Sequence, residues 1–272
     1  MKVFIIFFIL ISINTLLLGQ QISGTVFEMN GETPVEYVNI GIVGKNIGTV
    51  SDQNGKYTLQ VNPEHYDEIL CFSSIGYHSY SVKVSDFINL NNGNVSLTKR
   101  EYALTEVVIR PKKVKEKTLG ITSKGIAATC IQDSIKGWEV GLLMSNRNKV
   151  FLKELNINVS SCSFDTVFYR INIYKPQKKN QFENILTIPV YISLLKEQVK
   201  DKITIDLRHL NLVVEGDFLV TFEIVKDLGR GSLCFYSSLL HKVYGRQTSQ
   251  GRWITYPIGG PSISVLVDVE SK

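Results

Sequence analysis

Residues Gly48–Leu59 read GTVSDQNGKYTL. An acid, two amides and a glycine lie close together there, as they do in many ligand sites. A calcium loop would need more oxygen ligands at regular spacing and a later bidentate glutamate. Lys56, Tyr57, Thr58 and Leu59 supply neither. Asn54-Gly55 falls between Val50 and Tyr57, and both residue types tolerate the positive φ of a type I′ turn. Asp52 can accept backbone N–H bonds from the loop, as an Asx-turn does. The stretch is therefore read as a hairpin turn between two strands, and its flanks say what kind of strands they are.

Tyr57, Leu59 and Val61 alternate with Lys56, Thr58 and Gln60. Val38, Ile40 and Ile42 alternate with Tyr37, Asn39 and Gly41, and Tyr80, Val82 and Val84 alternate with Ser79, Ser81 and Lys83. Short runs of period two, punctuated by Gly, Asn and Pro, describe half-buried antiparallel strands. Each sheet then has one apolar face to hide, which leads to a sandwich.

Several local features of this region recur together: Gly24 with Val26, Pro34-Val35, Val38-Asn39-Ile40, Gly48-Thr49 with Asp52 and Gly55, Ser74-Ile75-Gly76-Tyr77, and Leu104-Thr105-Glu106-Val107-Val108. On these, residues 20–110 resemble the carboxypeptidase regulatory-like domain, a transthyretin-like β-sandwich of exported Bacteroidetes-type envelope proteins. The resemblance implies a sandwich of seven or eight strands, closed by Leu104–Ile109, in an accessory rather than catalytic role. The zinc peptidase for which the family is named is a separate domain, and nothing in this chain resembles it. Thr105–Ile109 also resembles the short box with which outer-membrane receptors engage TonB, but the closing-strand reading is preferred because no plug or barrel follows.

The amino terminus, MKVFIIFFILISINTLLLGQQ, has one lysine and then an apolar run from Val3 to Leu18 weakened by Ser12, Asn14 and Thr15. It reads as a signal peptide over residues 1–19, with an uncleaved anchor as the alternative. No transmembrane span is expected after cleavage. Lys99–Lys117 holds much of the excess in a net charge of +5. Nucleic-acid binders spread a basic face over a fold, so no nucleic-acid partner is expected. Residues 111–125, charged and broken by Pro and Gly, read as a basic linker.

From residue 126 to 272 strands return. Phe151, Lys153, Leu155, Ile157 and Val159 are placed on one face, as are Phe218, Val220, Phe222 and Ile224, and as are Ile263, Val265, Val267 and Val269. Val190–Lys200 is the best helical candidate. The pattern predicts a larger, jelly-roll-like second sandwich, making the whole chain all-β. Of the four cysteines, Cys71 is read as a buried thiol. A bridge among Cys130, Cys162 and Cys234 stays open, with no pairing preferred.

The four histidines form no HxH or HExxH pair, and no GxSxG or phosphate loop occurs. Neither metal nor other cofactor is expected. Glu139, Asp206, Glu215, Asp217 and Glu223 are read as strand-end or outward-face acids. The most site-like region is Tyr244, Arg246, Arg252, Trp253 and Tyr256, where aromatics beside arginines could stack on a sugar ring or anchor a peptide. These residues are the candidate ligand-binding set, against a reading as core edges. Asp133-Ser134 and Asp165-Thr166 match the O-glycosylation pattern of such bacteria. The expected protein is a non-catalytic binding module of the periplasm, outer membrane or cell surface, with an envelope protein or glycan as partner. The alternatives are a hydrolase of envelope polymers using carboxylates of the second sandwich, and a structural partner of a TonB-linked outer-membrane complex.

Overall fold

A computed structural model of the chain describes residues 19–29, 31–90, 92–101, 114–132, 135–178 and 181–270. The apolar run of residues 1–18, the closing strand and TonB-like box at Leu104–Ile109, and Asp133-Ser134 lie outside the described residues.

The chain is all-β, in two stacked-sheet bodies. The first contains β1 (Gln20–Glu28), β2 (Asn39–Ile42), β3 (Gly48–Val50), β4 (Lys56–Val61), β5 (Ile69–Ser73), β6 (Tyr80–Lys83), the short helix α1 (Val84–Ile88) and β7 (Val95–Leu97). A three-stranded sheet, β4-β1-β7, faces a four-stranded sheet, β3-β2-β5-β6. Ile22, Val26, Tyr57, Leu59 and Val61 of the one pack against Ile40, Ile42, Leu70 and Phe72 of the other. Tyr57, Leu59 and Val61 are buried while Lys56, Thr58 and Gln60 are exposed, which is the alternation of the sequence. Val84 leaves that pattern: the strand ends at Lys83, and Val84 and Phe87 are buried by the helix.

The stretch Gly48–Leu59 is a turn, but not a hairpin. β3 pairs with β2 and β4 pairs with β1, so the turn carries the chain from one sheet to the other. Asp52 Oδ1 accepts from the backbone N–H groups of Asn54 (2.8 Å) and Lys56 (2.9 Å), forming the Asx-turn. Gly55 alone takes the positive φ, +71°; Asn54 does not. The Gly55 carbonyl then accepts from Val26 N–H of β1 (2.9 Å), clamping the arch to its own sheet.

The second body contains β8 (Val114–Gly120), β9 (Ala127–Gln132), β10 (Glu139–Met144), β11 (Lys149–Cys162), β12 (Thr166–Pro176), β13 (Phe182–Asn184), β14 (Val190–Leu195), β15 (Lys202–Asp206), β16 (Val213–Glu215), β17 (Phe218–Ile224), β18 (Ser232–Ser238), β19 (Val243–Arg246), β20 (Ile254–Tyr256), β21 (Gly260–Pro261) and β22 (Ile263–Glu270). A seven-stranded sheet runs β13-β12-β17-β10-β19-β20, with β14 also on β12. It packs on an eight-stranded sheet ordered β21-β18-β11-β22-β8, with β9, β15 and β16 paired alongside.

Three sequence expectations change here. Val114–Gly120, inside the segment read as a linker, is a strand paired with β22 along its length. Only Leu119 of it is buried, because a charged edge strand and a charged linker have the same composition. Val190–Lys200 is not helical: it is β14, with Val190 and Ile192 inward, ending in a 3-10 turn at Lys196–Gln198. Phe151 and Lys153 do not share the face of Leu155, Ile157 and Val159. A register shift between Leu152 and Glu154 inserts one residue against β22, and a one-residue insertion reverses the facing of everything before it. The core therefore takes Val150 and Leu152 instead.

Cys130 and Cys234, directly opposite each other on β9 and β18, form a disulfide; Cys71 is free and buried, and Cys162 is free. The bridge closes a loop of sequence separation 104, which restricts the unfolded chain strongly. Changing Cys130 and Cys234 together to serine is expected to lower stability by about 2–5 kcal/mol, read as an earlier denaturant midpoint. An unchanged midpoint would contradict this.

Candidate functional site

The seven-stranded sheet has one face in its own core and the other turned toward the first sandwich. All seven residues of β17 are buried as a result. Phe218, Val220, Phe222 and Ile224 point into the core, and Leu219, Thr221 and Glu223 take the opposite parity. Across that second face a row of charges runs through four adjacent strands. Arg170 of β12 lies opposite Glu223 of β17, Glu223 opposite Glu139 of β10, and Glu139 opposite Arg246 of β19. Glu139 and Glu223 are 0% exposed, Arg170 2% and Arg246 9%. Their reading as outward-face acids is corrected: they face out of their own sandwich, and the other sandwich covers them.

Like charges directly opposite across a strand pair destabilise it, so the two glutamates need donors between them. Asn172 Nδ2 donates to Glu139 Oε1 (2.8 Å) and to Glu223 Oε2 (2.7 Å). Arg170 donates to Glu223 Oε2 from Nε (3.1 Å) and Nη2 (2.8 Å), and Arg246 Nε donates to Glu139 Oε2 (2.7 Å). Tyr174 OH (2.9 Å) and Thr221 Oγ1 also donate to Glu139 Oε1.

These partners set the protonation of the row. Burial alone would raise Glu223, but Arg170 and Arg246 outweigh it and hold its carboxyl below the usual range. Burial wins at Glu139, with the Glu223 charge adding to it and Arg246 opposing, so that carboxyl is raised. Burial opposes the charge on both arginines, yet Glu223 beside Arg170 and Glu139 beside Arg246 hold each guanidinium above its ordinary value. Tyr174 is pushed well up by burial and then by Glu139.

Arg170 also crosses to the first sandwich. Its Nη1 donates to the Tyr37 carbonyl (2.7 Å) and its Nη2 to Asn39 Oδ1. Tyr37 has φ +49°, unusual for a bulky residue, and its N–H donates to the Asp52 carbonyl of the opening turn (3.3 Å). The Tyr37 ring packs on Phe168 (5.3 Å) and Tyr191 (5.5 Å). At the other end of the contact, a Cβ on Gly41 or on Gly48, which are cross-strand partners, would collide with the Ser249 carbonyl. Gln250 follows with φ +59°; its carbonyl accepts from Gly44 N–H (2.9 Å), and its Nε2 donates to Ser73 Oγ (2.7 Å).

Between the sandwiches lies a cavity of about 230 Å³ walled by Asn39, Ser73–Gly76 and Arg100 on one side and by Arg170, Asn172, Tyr174, Phe182, Asn184 and Arg246 on the other. Beside it an open groove of about 670 Å³ is lined by Val43, Gly44, Gln177, Gln181, Phe182, Gln250, Arg252 and Trp253. Trp253 packs on Phe182 (4.9 Å) and Tyr174 (5.5 Å), and the Arg246 guanidinium lies 5.1 Å from the centre of the Trp253 ring.

Of the residues expected from sequence, Arg246, Arg252 and Trp253 meet at this groove. Tyr244 stands behind it, against Phe182 (6.0 Å). Tyr256 does not line the groove; half exposed on β20, it lines another hollow with Trp138, Glu139 and Arg246. Arg170, Asn172, Tyr174, Glu139, Glu223, Phe182 and Arg100 were missed. The usable signal was the run Arg170-Ile171-Asn172-Ile173-Tyr174, whose non-core positions are bulky and hydrogen-bonding rather than the Lys, Glu and Ser of a solvated face.

Residues 22–109 match the family model of the CarboxypepD_reg-like domain. The first sandwich is a CarboxypepD_reg-like domain. It supplies one wall of the cleft, and the second sandwich supplies the other. No curated protein matches the chain. Among solved structures it is similar to that of infectious bursal disease virus Gt strain, at 12% identity and TM-score 0.28, covering 91% of this chain and 62% of that one. It is also similar to a structure on the promiscuous specificity of carbohydrate-binding modules from the β-sandwich superfamily, at 11% identity and TM-score 0.22, covering 88% and 93%. Likenesses at this level say nothing of what this chain binds.

The two glutamates should respond to acid with opposite signs. The folded pKa of Glu223 is lowered, so its contribution is present above the unfolded value of about 4.3 and is lost as pH falls through the folded value. The folded pKa of Glu139 is raised, so the cost of keeping it ionised is relieved as pH falls through that value. Urea midpoints measured between roughly pH 7 and pH 3, spanning the ordinary carboxylate range, should show Glu223→Gln flattening the acid loss of stability and Glu139→Gln steepening it. Parallel slopes in the two variants would contradict the assignment.

Proposed function

We propose that the protein is an exported, non-catalytic envelope protein that binds a glycan in the cleft between its two sandwiches. The observation that carries this reading is the groove wall of Trp253 and Phe182 rings set among the amides of Gln177, Gln181 and Gln250. A sugar ring offers an apolar C–H face to an aromatic ring and a rim of hydroxyls to amides, which donate and accept at once. The Phe182, Tyr174 and Arg246 contacts hold the indole in place, so little freedom is lost on binding.

The non-catalytic reading is supported by the state of the two buried glutamates. Glu139 has acceptor roles at both oxygens, and Glu223 is held by Arg170 and Asn172, away from solvent. Among the described residues no three His, Cys, Asp or Glu side chains gather as metal ligands. Export is supported by the apolar run Val3–Leu18 and by the regulatory-like domain. Among the described residues no helix is long and apolar enough to cross a membrane.

Titration of the intact protein with fragments of cell-envelope glycans, followed by tryptophan emission, should give a saturable change. Trp253→Phe should abolish most of that change and weaken binding by about tenfold, the order expected for losing one good ring contact. Trp138 remains in that variant as the reference signal. Binding by Trp253→Ala as tight as that of the unaltered protein would overturn the reading.

A further inference from the structure

The buried guanidinium at the inner end of this cleft has more donors than the protein uses. Arg246 Nε is committed to Glu139 Oε2 (2.7 Å). Its Nη2 reaches Tyr174 OH only at 3.3 Å and lies 3.9 Å from Glu223 Oε1, beyond hydrogen-bond range. No hydrogen bond is made by Nη1 among the described residues, and Glu223 Oε1 is likewise without a partner. The side chain is 9% exposed, and Nη1 is not sealed from solvent as Glu223 Oε1 is. Arg246 lines the inner cavity, the outer groove and the hollow beside Trp138.

A second arginine, Arg100 of the regulatory-like domain, is exposed and lines the same cavity. Arg100 donates its backbone N–H to Gly76 (2.8 Å), while its guanidinium makes no ion pair among the described residues. Arg170, the third arginine of the wall, is spent on Glu223, Tyr37 and Asn39. Glu139 and Glu223 do not line the cavity, so the wall itself presents the positive side of the row. Glu183 is the carboxylate of the lining, and it accepts from Gln177 (3.0 Å).

We propose that the ligand of this cleft carries a carboxylate, as a uronate-containing glycan does, and that Arg246 and Arg100 receive it from the two walls. This rests on the glycan reading above and specifies its ligand. Planar guanidinium donors match a carboxylate in paired, charge-assisted hydrogen bonds, and they do so most strongly where water is scarce. The sugar ring then falls on Trp253 and Phe182 at the mouth, and the anion lies inside.

The test is calorimetric titration of the intact protein with an oligogalacturonate and with the same oligomer reduced to its neutral form. The acidic oligomer is expected to bind at least about tenfold tighter, with the preference shrinking as salt is raised. Arg100→Gln should collapse the preference toward parity. Arg246→Lys, which keeps the charge but loses the planar fork, should do the same where the variant still shows the unaltered unfolding profile. Equal affinity for the two oligomers would overturn the acidic ligand and leave the glycan reading standing. A preference that both variants leave intact would overturn the assignment to these arginines. Binding of neither oligomer would sink both readings.

Discussion

The Arg170 guanidinium is the point on which the two sandwiches depend. It is buried at the seam, paired with Glu223 on its own sheet and hydrogen-bonded to Tyr37 and Asn39 of the other body. Bringing a full charge into such a place is costly unless every partner is present, and removing one partner of a buried pair costs about 3–5 kcal/mol. One well-buried aliphatic side chain contributes roughly 1.5–3 kcal/mol. The row Arg170, Glu223, Glu139 and Arg246 is therefore less a source of stability than a penalty on wrong arrangements. Slipping one strand by a residue would turn these charges into an apolar core. Separating the sandwiches would take the Tyr37 and Asn39 acceptors away from Arg170.

The same seam links the opening turn to the cleft. The Asp52 carbonyl accepts from Tyr37 N–H, and the Tyr37 carbonyl accepts from Arg170, so a turn that resembles a ligand site in sequence works as a brace. Gly41 and Gly48 let the Ser249 carbonyl come close, and Gln250 then ties into the regulatory-like domain at Gly44 and Ser73. With both ends fastened, the walls of the cleft are preorganised. That is the condition under which a few aromatic and polar contacts yield useful affinity.

Much of the architecture was legible because period-two patterning reports burial directly: Tyr57, Leu59 and Val61 are inward as read. What escaped depends on contacts between distant segments. Asn54-Gly55 says that the chain turns, not which sheets its flanks join. The extra residue near Lys153 has no local mark, yet it reverses the facing of Phe151. At the site, Arg246, Arg252 and Trp253 were legible because an aromatic beside arginines is distinctive at short range. Glu139 and Glu223 were not, since a carboxylate at an outward position looks the same whether water or a second sandwich covers it. The Cys130–Cys234 pairing likewise needed the β9–β18 register.

The most direct measurement is scanning calorimetry of the intact protein and of Arg170→Met, which keeps the length of the side chain but not its charge or donors. If the seam makes the two sandwiches one cooperative unit, the unaltered chain unfolds in a single transition whose calorimetric and van't Hoff enthalpies agree, and Arg170→Met splits it into two. Two separate transitions in the unaltered chain, or a single unshifted one in the variant, would contradict that account.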